Sequence, residues 1–281
     1  MIDPHPPLPL VREAVARALA EDLLPLGDMT ADLLPVDLQG AALFVSRAAG
    51  VVAGRRCAVE AFAQVDPSVV VEWRLDDGAE LAPGDVVARV EGPLASILTA
   101  ERTALNFLRH LSGIASLTRR YVRAMGGQAT LLDTRKTTPG LRVLEKAAVR
   151  AGGGTNHRGS LSDGVLIKDN HLGGLTIAEA VRRAKLRWPG RLCEVECDSL
   201  DQVAEALDAG ATMVLLDNMS AADIAAAVGV VGGRVPVEVS GGITLDNVGD
   251  VARIPGVDYV SVGALTHSAP ELDIGLDLEE A

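Results

Sequence analysis

Polar and charged residues follow six apolar segments in the second half of the chain, each where the segment ends. They occupy positions 133–137, 168–171, 194–196, 217–218, 240–242 and 263–267. Parallel strands covered on both faces read as apolar runs, and a charge within such a run is costly unless it is paired. Barrels of alternating strands and helices carry their active sites at the carboxyl ends of the strands. The pattern therefore predicts an enzyme.

Basic residues at these strand ends suit anionic ligands. Lys136 and Lys168 each follow an apolar strand, where an ammonium group can bind carboxylate or phosphate, or form a Schiff base. Arg135 and Arg158 offer planar guanidinium groups that bind carboxylates at two points. His157 adjoins Arg158 and joins the same cationic group.

Acidic residues lie at neighbouring strand ends. Strand alternation places Glu194 and Glu196 on one face of a buried strand, and Asp217 ends the next strand. Such carboxylates need cations, a metal ion or ligand hydroxyl groups as partners. A buried network with nearby Lys and Arg is the favoured interpretation for an isolated acid, whereas a ring of strand ends favours a ligand site.

Glycines at the last two strand ends indicate a phosphate site. Ser240 and Gly241 end one strand, and Gly263 and Ala264 follow the next. Loops after the final strands of a barrel often bind phosphate through backbone N–H groups, which glycine allows to approach closely. His267 lies just beyond and either donates to the same phosphate or caps the following segment.

Strands and helices alternate from residue 128 to the end. Five helical segments separate the six strands, at 141–151, 176–187, 199–209, 220–228 and 245–254. This alternation predicts a parallel sheet with right-handed crossovers. We predict an α/β barrel of about six strands over residues 111–267, with the N-terminal domain closing over it.

The first half of the chain has a different pattern. Residues 11–24 have helical periodicity, while 41–53 and 69–98 read as short strands punctuated by Gly and Pro. They predict an N-terminal α/β domain over residues 1–110, which also contacts the C-terminal tail, 268–281.

The next predicted helix begins with Thr99 as its N-cap. Arg102 and Arg109 lie on one polar stripe of this helix, where we interpret Arg109, but not Arg102, as part of a solvated face.

Composition excludes several classes of protein. A net charge of −12 and 2% aromatic residues argue against nucleic-acid binding. No apolar stretch approaches the ~20 residues that a membrane span needs. Because the N-terminus resembles no secretory signal, we expect a cytoplasmic protein. Cys57, Cys193 and Cys197 have no metal-like spacing, so packing is the expected role.

The motifs together resemble one family. Segments 101–103, 133–140, 156–158, 167–171, 194–196, 216–218, 240–243 and 263–266 are similar to quinolinate phosphoribosyltransferase, also called nicotinate-nucleotide pyrophosphorylase (carboxylating). The resemblance implies an N-terminal sandwich-like α/β domain and an open α/β barrel. It also implies a homodimer with active sites at the interface, sometimes assembled into hexamers.

The resemblance further implies the reaction and the roles of the residues. Quinolinate and phosphoribosyl pyrophosphate would give nicotinate mononucleotide, pyrophosphate and carbon dioxide, with Mg²⁺, on the de novo route to NAD. Arg135, His157 and Arg158, with Arg102 of the partner subunit, would bind the quinolinate carboxylates.

The implied catalytic residues are those at the strand ends. Lys136 and Lys168 would bind the pyrophosphate and help orient the pyridine ring. Glu196 and Asp217 would contact the ribose hydroxyls and magnesium. The 5′-phosphate would be held by Ser240, Gly241, Gly263 and Ala264, with His267 beside them.

Three alternatives stay open at this point. Lys168 or Lys136 could form a Schiff base in an aldolase-like lyase barrel. A sensor of phosphorylated sugars would use Glu196 and Asp217 only to bind hydroxyl groups. A paralogous phosphoribosyltransferase would act on another pyridine, or belong to molybdenum-linked metabolism.

Overall fold

The computed structural model describes residues 5–279. The strands are β1 (Gln39–Ser46), β2 (Gly50–Val51), β3 (Val70–Trp73), β4 (Glu80–Leu81), β5 (Val86–Pro93), β6 (Thr130–Leu132), β7 (Val165–Ile167), β8 (Cys193–Cys197), β9 (Met213–Asp217), β10 (Val237–Ser240), β11 (Tyr259–Ser261) and β12 (Ile274–Leu278). The helices are α1 (Leu8–Leu23), α2 (Arg55–Val65), α3 (Leu94–Met125), α4 (Arg142–Ala151), α5 (Asp169–Leu172), α6 (Ile177–Arg187), α7 (Leu200–Asp208), α8 (Ala221–Val231), α9 (Val248–Ala252) and α10 (Ala264–His267).

The chain divides into two compact units that alternate along the sequence. The second unit comprises Arg120–Lys136 and Gly154–Ala264, and the first comprises the rest. This division crosses α3 and assigns Thr137–Gly153 to the first unit. The boundary predicted from the sequence, at residue 110, also falls within α3. It divides the chain at one point, whereas the two observed units alternate along the sequence.

The first unit is built on an antiparallel sheet in the order β12-β1-β5-β3. Along β1, Ala42, Phe44 and Ser46 are buried at every second position, as expected of a strand with one face in the core. Phe44 lies edge-on to Phe62 and stacks on Trp73, with ring centroids 6.0 and 6.3 Å apart. β12 brings part of the C-terminal segment into this sheet.

The second unit is built on a sheet of six parallel strands in the order β6-β11-β10-β9-β8-β7. The helices α6, α7, α8 and α9 connect successive strands. β6 and β7 form the two edges, so the sheet is open on one side. The predicted six-stranded α/β architecture is therefore confirmed.

The three cysteines are buried, as the sequence predicts. Cys193 and Cys197 lie on the apolar face of β8, at most 2% exposed, and Cys57 lies in the first unit. Burial raises the pKa of the Cys57 and Cys197 thiols to about 12, which leaves little reactive thiolate at neutral pH.

The predicted start of α3 is wrong. The helix begins at Leu94, directly after β5 ends at Pro93, so residues 94–98 are not a strand and Thr99 is not the N-cap. Ile97 and Ala100 are fully buried at helical spacing, and this packing extends the helix upstream. The Thr99 hydroxyl instead donates to Asp28 Oδ2 at 3.1 Å. Although α3 has 32 residues, no helix within residues 5–279 is long and apolar enough to cross a membrane.

Candidate active site

A cavity of about 540 Å³ opens at the carboxyl ends of the parallel strands, entirely within the second unit. Its volume falls in the usual range for small-molecule sites. Nine residues that the sequence singles out line it together: Arg135, Lys136, His157, Arg158, Lys168, Glu196, Asp217, Ser240 and Gly241.

The pleat of the strands places these side chains on one face. Successive residues of a strand point to opposite faces, so residues two apart line the same surface. Three strands contribute such pairs: Leu166 with Lys168 at β7, Leu215 with Asp217 on β9, and Glu238 with Ser240 on β10. The polar residue at the C-terminal position of each pair thus lies at the mouth of the cavity.

Lys168 and Glu196 form an ion pair at this mouth. The Lys168 ammonium contacts Glu196 Oε2, across the adjacent strands β7 and β8. The Lys168 side chain is 41% exposed and that of Glu196 is 14% exposed, so the ammonium remains open to a ligand. The Lys168 backbone N–H donates to His171 Nδ1 at 3.0 Å, which gives His171 a role in ordering this turn.

Two guanidinium groups share another wall of the cavity. Burial and the nearby charge of Arg135 lower the pKa of Arg158, against the opposing influence of Glu194 and Asp163. Arg158 Nη1 donates to the Gly164 carbonyl oxygen at 3.1 Å, which holds the guanidinium in place. Because two like charges repel when they are held close in a partly buried site, an anionic ligand would stabilise this arrangement.

Asp133 orders the loop that carries Arg158. Its side chain is fully buried. Asp133 Oδ1 accepts the backbone N–H of His157 at 2.9 Å, and Oδ2 accepts the Asn156 amide at 2.6 Å. Asp133, which also lines the cavity, therefore holds the backbone of the loop that carries His157 and Arg158.

His157 is held by two buried glutamates. Its Nε2 lies 3.1 Å from Glu194 Oε2 and 3.2 Å from Glu238 Oε2. Burial lowers the pKa of His157, and the two carboxylates favour the charged ring strongly enough to bring the pKa to about 10. The Arg158 N–H that donates to Nδ1 at 2.7 Å opposes this rise, because Nδ1 can accept a hydrogen bond only in the neutral ring, with its proton on Nε2. The sequence reasoning missed Glu238, although the signal was present: Glu238 lies two residues before Ser240, on the same face of β10.

Four predicted residues do not line the cavity. Gly263 and Ala264 follow β11 in the second unit, where Ser261 is the lining residue. Arg102 lies on α3 in the first unit, with its side chain 57% exposed and Nη2 3.8 Å from Glu101 Oε1. His267 also belongs to the first unit, and its Nδ1 lies 2.6 Å from the Ser268 hydroxyl.

A close approach between two loops requires Gly241. Its φ is +86°, and a Cβ there would lie 2.3 Å from Asn218 Oδ1 and 2.8 Å from the Asn218 nitrogen. Asn218 itself has a φ of +55°, and its side chain donates to Asp217 Oδ2 at 2.7 Å. The absence of a side chain at Gly241 therefore leaves room for Asn218, whose amide bonds the cavity carboxylate of Asp217.

We expect Gly241→Ala to lower the free energy of unfolding by about 1–3 kcal/mol, because the left-handed backbone and the contact with Asn218 both oppose a side chain. Gly242→Ala is the matched control, since its φ is +62° but a Cβ there meets nothing within 4 Å. Urea denaturation of both variants measures the difference. Equal destabilisation would contradict the role of the Asn218 contact.

Comparison with known proteins identifies the family. The sequence-family model for the quinolinate phosphoribosyl transferase N-terminal domain matches residues 28–112. The family model for the C-terminal domain matches residues 114–277. A nicotinate-nucleotide pyrophosphorylase [carboxylating] of Mycobacterium leprae is 42% identical, covering 95% of this chain and 96% of that protein. A probable enzyme of the same name from Bacillus subtilis is 40% identical, covering 90% of this chain and 88% of that protein.

A solved structure gives the same result. The nicotinate-nucleotide pyrophosphorylase from Francisella tularensis superposes with a TM-score of 0.92 at 40% identity, covering 97% of each chain. The human nicotinic acid phosphoribosyltransferase, at 14% identity and a TM-score of 0.59, shares the fold alone. The sequence matches, the shared fold and the cavity agree: this chain belongs to the quinolinate phosphoribosyltransferase family.

Proposed function

We propose that this protein transfers the phosphoribosyl group of phosphoribosyl pyrophosphate to quinolinate with decarboxylation, giving nicotinate mononucleotide, pyrophosphate and carbon dioxide in NAD biosynthesis. The observation that carries the proposal is the set of four basic side chains gathered in one cavity: Arg135 and Arg158 lie close together, and Lys136 and Lys168 lie at the strand ends. Quinolinate has two adjacent carboxylates, and the other substrate has a phosphate and a pyrophosphate. The names of the relatives support the same reaction.

The quinolinate carboxylates are assigned to the guanidinium wall. Arg135 and Arg158 bind them at two points each, since a planar guanidinium matches a carboxylate. His157 completes this wall, and Arg102 of the partner subunit adds a further cation. The pyridine nitrogen is then left to face the ribose.

The second substrate is assigned to the strand ends. Lys136 and Lys168 bind the pyrophosphate, while Glu196 and Asp217 bind the ribose hydroxyls. Ser240 and Gly241 bind the 5′-phosphate at the cavity wall. The sequence predicts Gly263, Ala264 and His267 for the same phosphate, but they do not line the cavity, so their part in binding it stays a prediction.

The proposed chemistry needs no covalent protein nucleophile. The pyridine nitrogen forms a bond to C1 of the ribose while the bond from C1 to the pyrophosphate oxygen breaks, and pyrophosphate leaves with the electron pair. The carboxylate at C2 of the ring then departs as carbon dioxide. The cationic ring nitrogen stabilises the electron pair left at C2, which takes up a proton. The protein acts by positioning and by electrostatic stabilisation.

Magnesium is proposed as the accompanying ion, and the donor set fits it. Glu196 and Asp217 supply carboxylate oxygens from adjacent strands, and Mg²⁺ is usually bound by one or two carboxylates together with substrate phosphates. When bound, the ion neutralises charge on the pyrophosphate. Because Glu196 is paired with Lys168, Asp217 is the more available carboxylate for the ion before substrate binds.

The homodimer with shared active sites is also a proposal, as is its further assembly into hexamers. We expect Arg102→Ala and Lys136→Ala each to abolish most activity, because each removes a cation from the substrate site. In a two-fold dimer of mixed subunits, one site of each heterodimer keeps both residues, so co-expression should restore roughly a quarter of wild-type activity. Tandem affinity tags isolate the mixed dimer. An inactive isolated heterodimer would contradict site sharing.

A direct assay tests the reaction. Pyrophosphate release from phosphoribosyl pyrophosphate should require quinolinate, and nicotinate should not replace it, which separates this function from that of a paralogue. Inactivation by borohydride with a carbonyl substrate would instead indicate a Schiff-base lyase. Binding of both ligands without any turnover would indicate a sensor. A cytoplasmic location stays a prediction.

A further inference from the structure

The proposed reaction leaves two buried acids without a role. Glu194 and Glu238 are 0% and 1% exposed and come from β8 and β10, on either side of β9. Glu238 lines the cavity, whereas Glu194 lies beneath the lining, against His157. Each lies two residues before a residue at the cavity mouth, Glu196 and Ser240 respectively. A buried carboxylate is costly unless it is paired, so these two require a structural or functional reason.

Both acids converge on one edge of the His157 ring. The Nε2 atom is hydrogen-bonded to Glu194 Oε2 at 3.1 Å. Glu238 Oε2 lies 3.2 Å from the same atom, within ion-pair distance but without hydrogen-bond geometry. The His157 side chain is only 11% exposed. The hydrogen bond to Glu194, with the charge of Glu238 beside it, therefore fixes the plane of the imidazole.

The opposite edge of the ring contacts the next residue. The backbone N–H of Arg158 donates to His157 Nδ1 at 2.7 Å. The His157 backbone is itself held, because its N–H donates to buried Asp133 at 2.9 Å. Both ring nitrogens are thus engaged within the protein, and one of them orders the backbone of a residue assigned to quinolinate.

A proton, and not a metal ion, explains this geometry. His157, Glu194 and Glu238 are close enough to hold a metal ion together. The bond accepted by Nδ1, however, places the ring proton on Nε2, the atom that faces both acids. A metal ion would have to displace that proton.

We propose that Glu194 and Glu238 are positioning residues. They hold the His157 ring, which in turn orders Arg158 at the guanidinium wall of the cavity, where quinolinate is proposed to bind. The proposal rests on the proposed function. The guanidinium of Arg158 is held at its far end by the Gly164 carbonyl, and His157 holds its backbone, so the side chain is fixed at both ends. Loss of either acid should loosen quinolinate binding and leave the pyrophosphate site intact.

The test uses near-isosteric variants, Glu238→Gln and Glu194→Gln. We expect the KM for quinolinate to rise roughly 10- to 100-fold, since a small displacement of a binding group has effects of this order. The KM for phosphoribosyl pyrophosphate should stay unchanged. Glu205→Gln on the outer helix α7 is the control, because Glu205 accepts a bond from the Ala178 N–H and is remote from the cavity lining. A wild-type KM for quinolinate in both variants would overturn the proposal.

A double-mutant cycle identifies the route of the effect. If the acids act through His157, then Glu238→Gln should add no further change in a His157→Gln background, because coupled residues are not additive. Equal effects in both backgrounds would mean that Glu238 acts independently of the ring, against the proposal. Stabilisation of the wild type by added zinc chloride that disappears in Glu238→Gln would also overturn it in favour of a metal site.

A substrate-free measurement separates this proposal from the function on which it rests. In ¹⁵N-detected spectra of the histidine rings, assigned with His157→Gln, the wild type should show the Nε2 proton of His157 protected from exchange. Glu238→Gln should shift or lose that signal, and Glu205→Gln should not. An unchanged ring signal contradicts the positioning role, whereas absence of quinolinate turnover by the wild type contradicts only the proposed function.

Discussion

Arg135→Ala is expected to weaken quinolinate binding by about 2–5 kcal/mol, the usual loss when one partner of a buried charge pair is truncated. This corresponds to roughly a 30-fold to several-thousandfold increase in Kd. The physical reason is that Arg135 and Arg158 already lie close enough for their charges to interact, so both are placed to meet a dianion. Calorimetric titration with quinolinate measures the change.

Two further variants make this prediction specific. Arg135→Lys keeps the charge but loses the planar fork, so it should recover only part of the affinity. Arg183→Ala on α6 is the matched control, because this arginine is 60% exposed and pairs with Glu179 on its own helix. A quinolinate Kd in Arg135→Ala equal to that of the wild type would rule out the assigned role.

The second large effect concerns Lys168. We expect Lys168→Ala to lower kcat by roughly 10²- to 10³-fold, as removal of one preorganised electrostatic contact to a developing charge does in other enzymes. The pyrophosphate leaves with an electron pair, and the Lys168 ammonium is held for that charge by its contact with Glu196. Single-turnover kinetics with saturating substrates isolate this step from substrate binding.

The control for Lys168 is Lys185→Ala. Lys185 lies on α6 and donates to the Gly210 carbonyl at 3.3 Å, with no part in the cavity lining. Its kcat should match that of the wild type. If Lys168→Ala keeps the wild-type single-turnover rate, the lysine does not act on the leaving group.

Much of the site could be predicted from the sequence because a strand has a period of two. Apolar runs ending in charged or polar residues identify five of the six strand ends that surround the cavity, and alternation alone predicts that Glu194 and Glu196 share one face of β8. The same rule reaches Glu238, which lies two residues before Ser240. A lone acid within an apolar run does not indicate its partner, however, and His157 is 81 positions away in sequence (238 − 157).

The errors arose where tertiary packing outweighs local signals. Thr99 has the chemistry of an N-cap, yet the burial of Ile97 and Ala100 extends α3 back to Leu94. The hydroxyl then bonds to Asp28, 71 positions earlier, a contact that no local pattern encodes. Arg102 illustrates a different difficulty, because it is proposed to bind quinolinate in the active site of a second copy of the chain.

The most direct test of the account is carbon dioxide release from quinolinate labelled in the 2-carboxyl group, with and without phosphoribosyl pyrophosphate. Decarboxylation follows formation of the bond to ribose, since only the cationic ring nitrogen stabilises the electron pair that remains. We therefore predict labelled carbon dioxide only when both substrates are present, in equal amount to pyrophosphate. Label released from quinolinate alone, or pyrophosphate formed without it, would contradict the account.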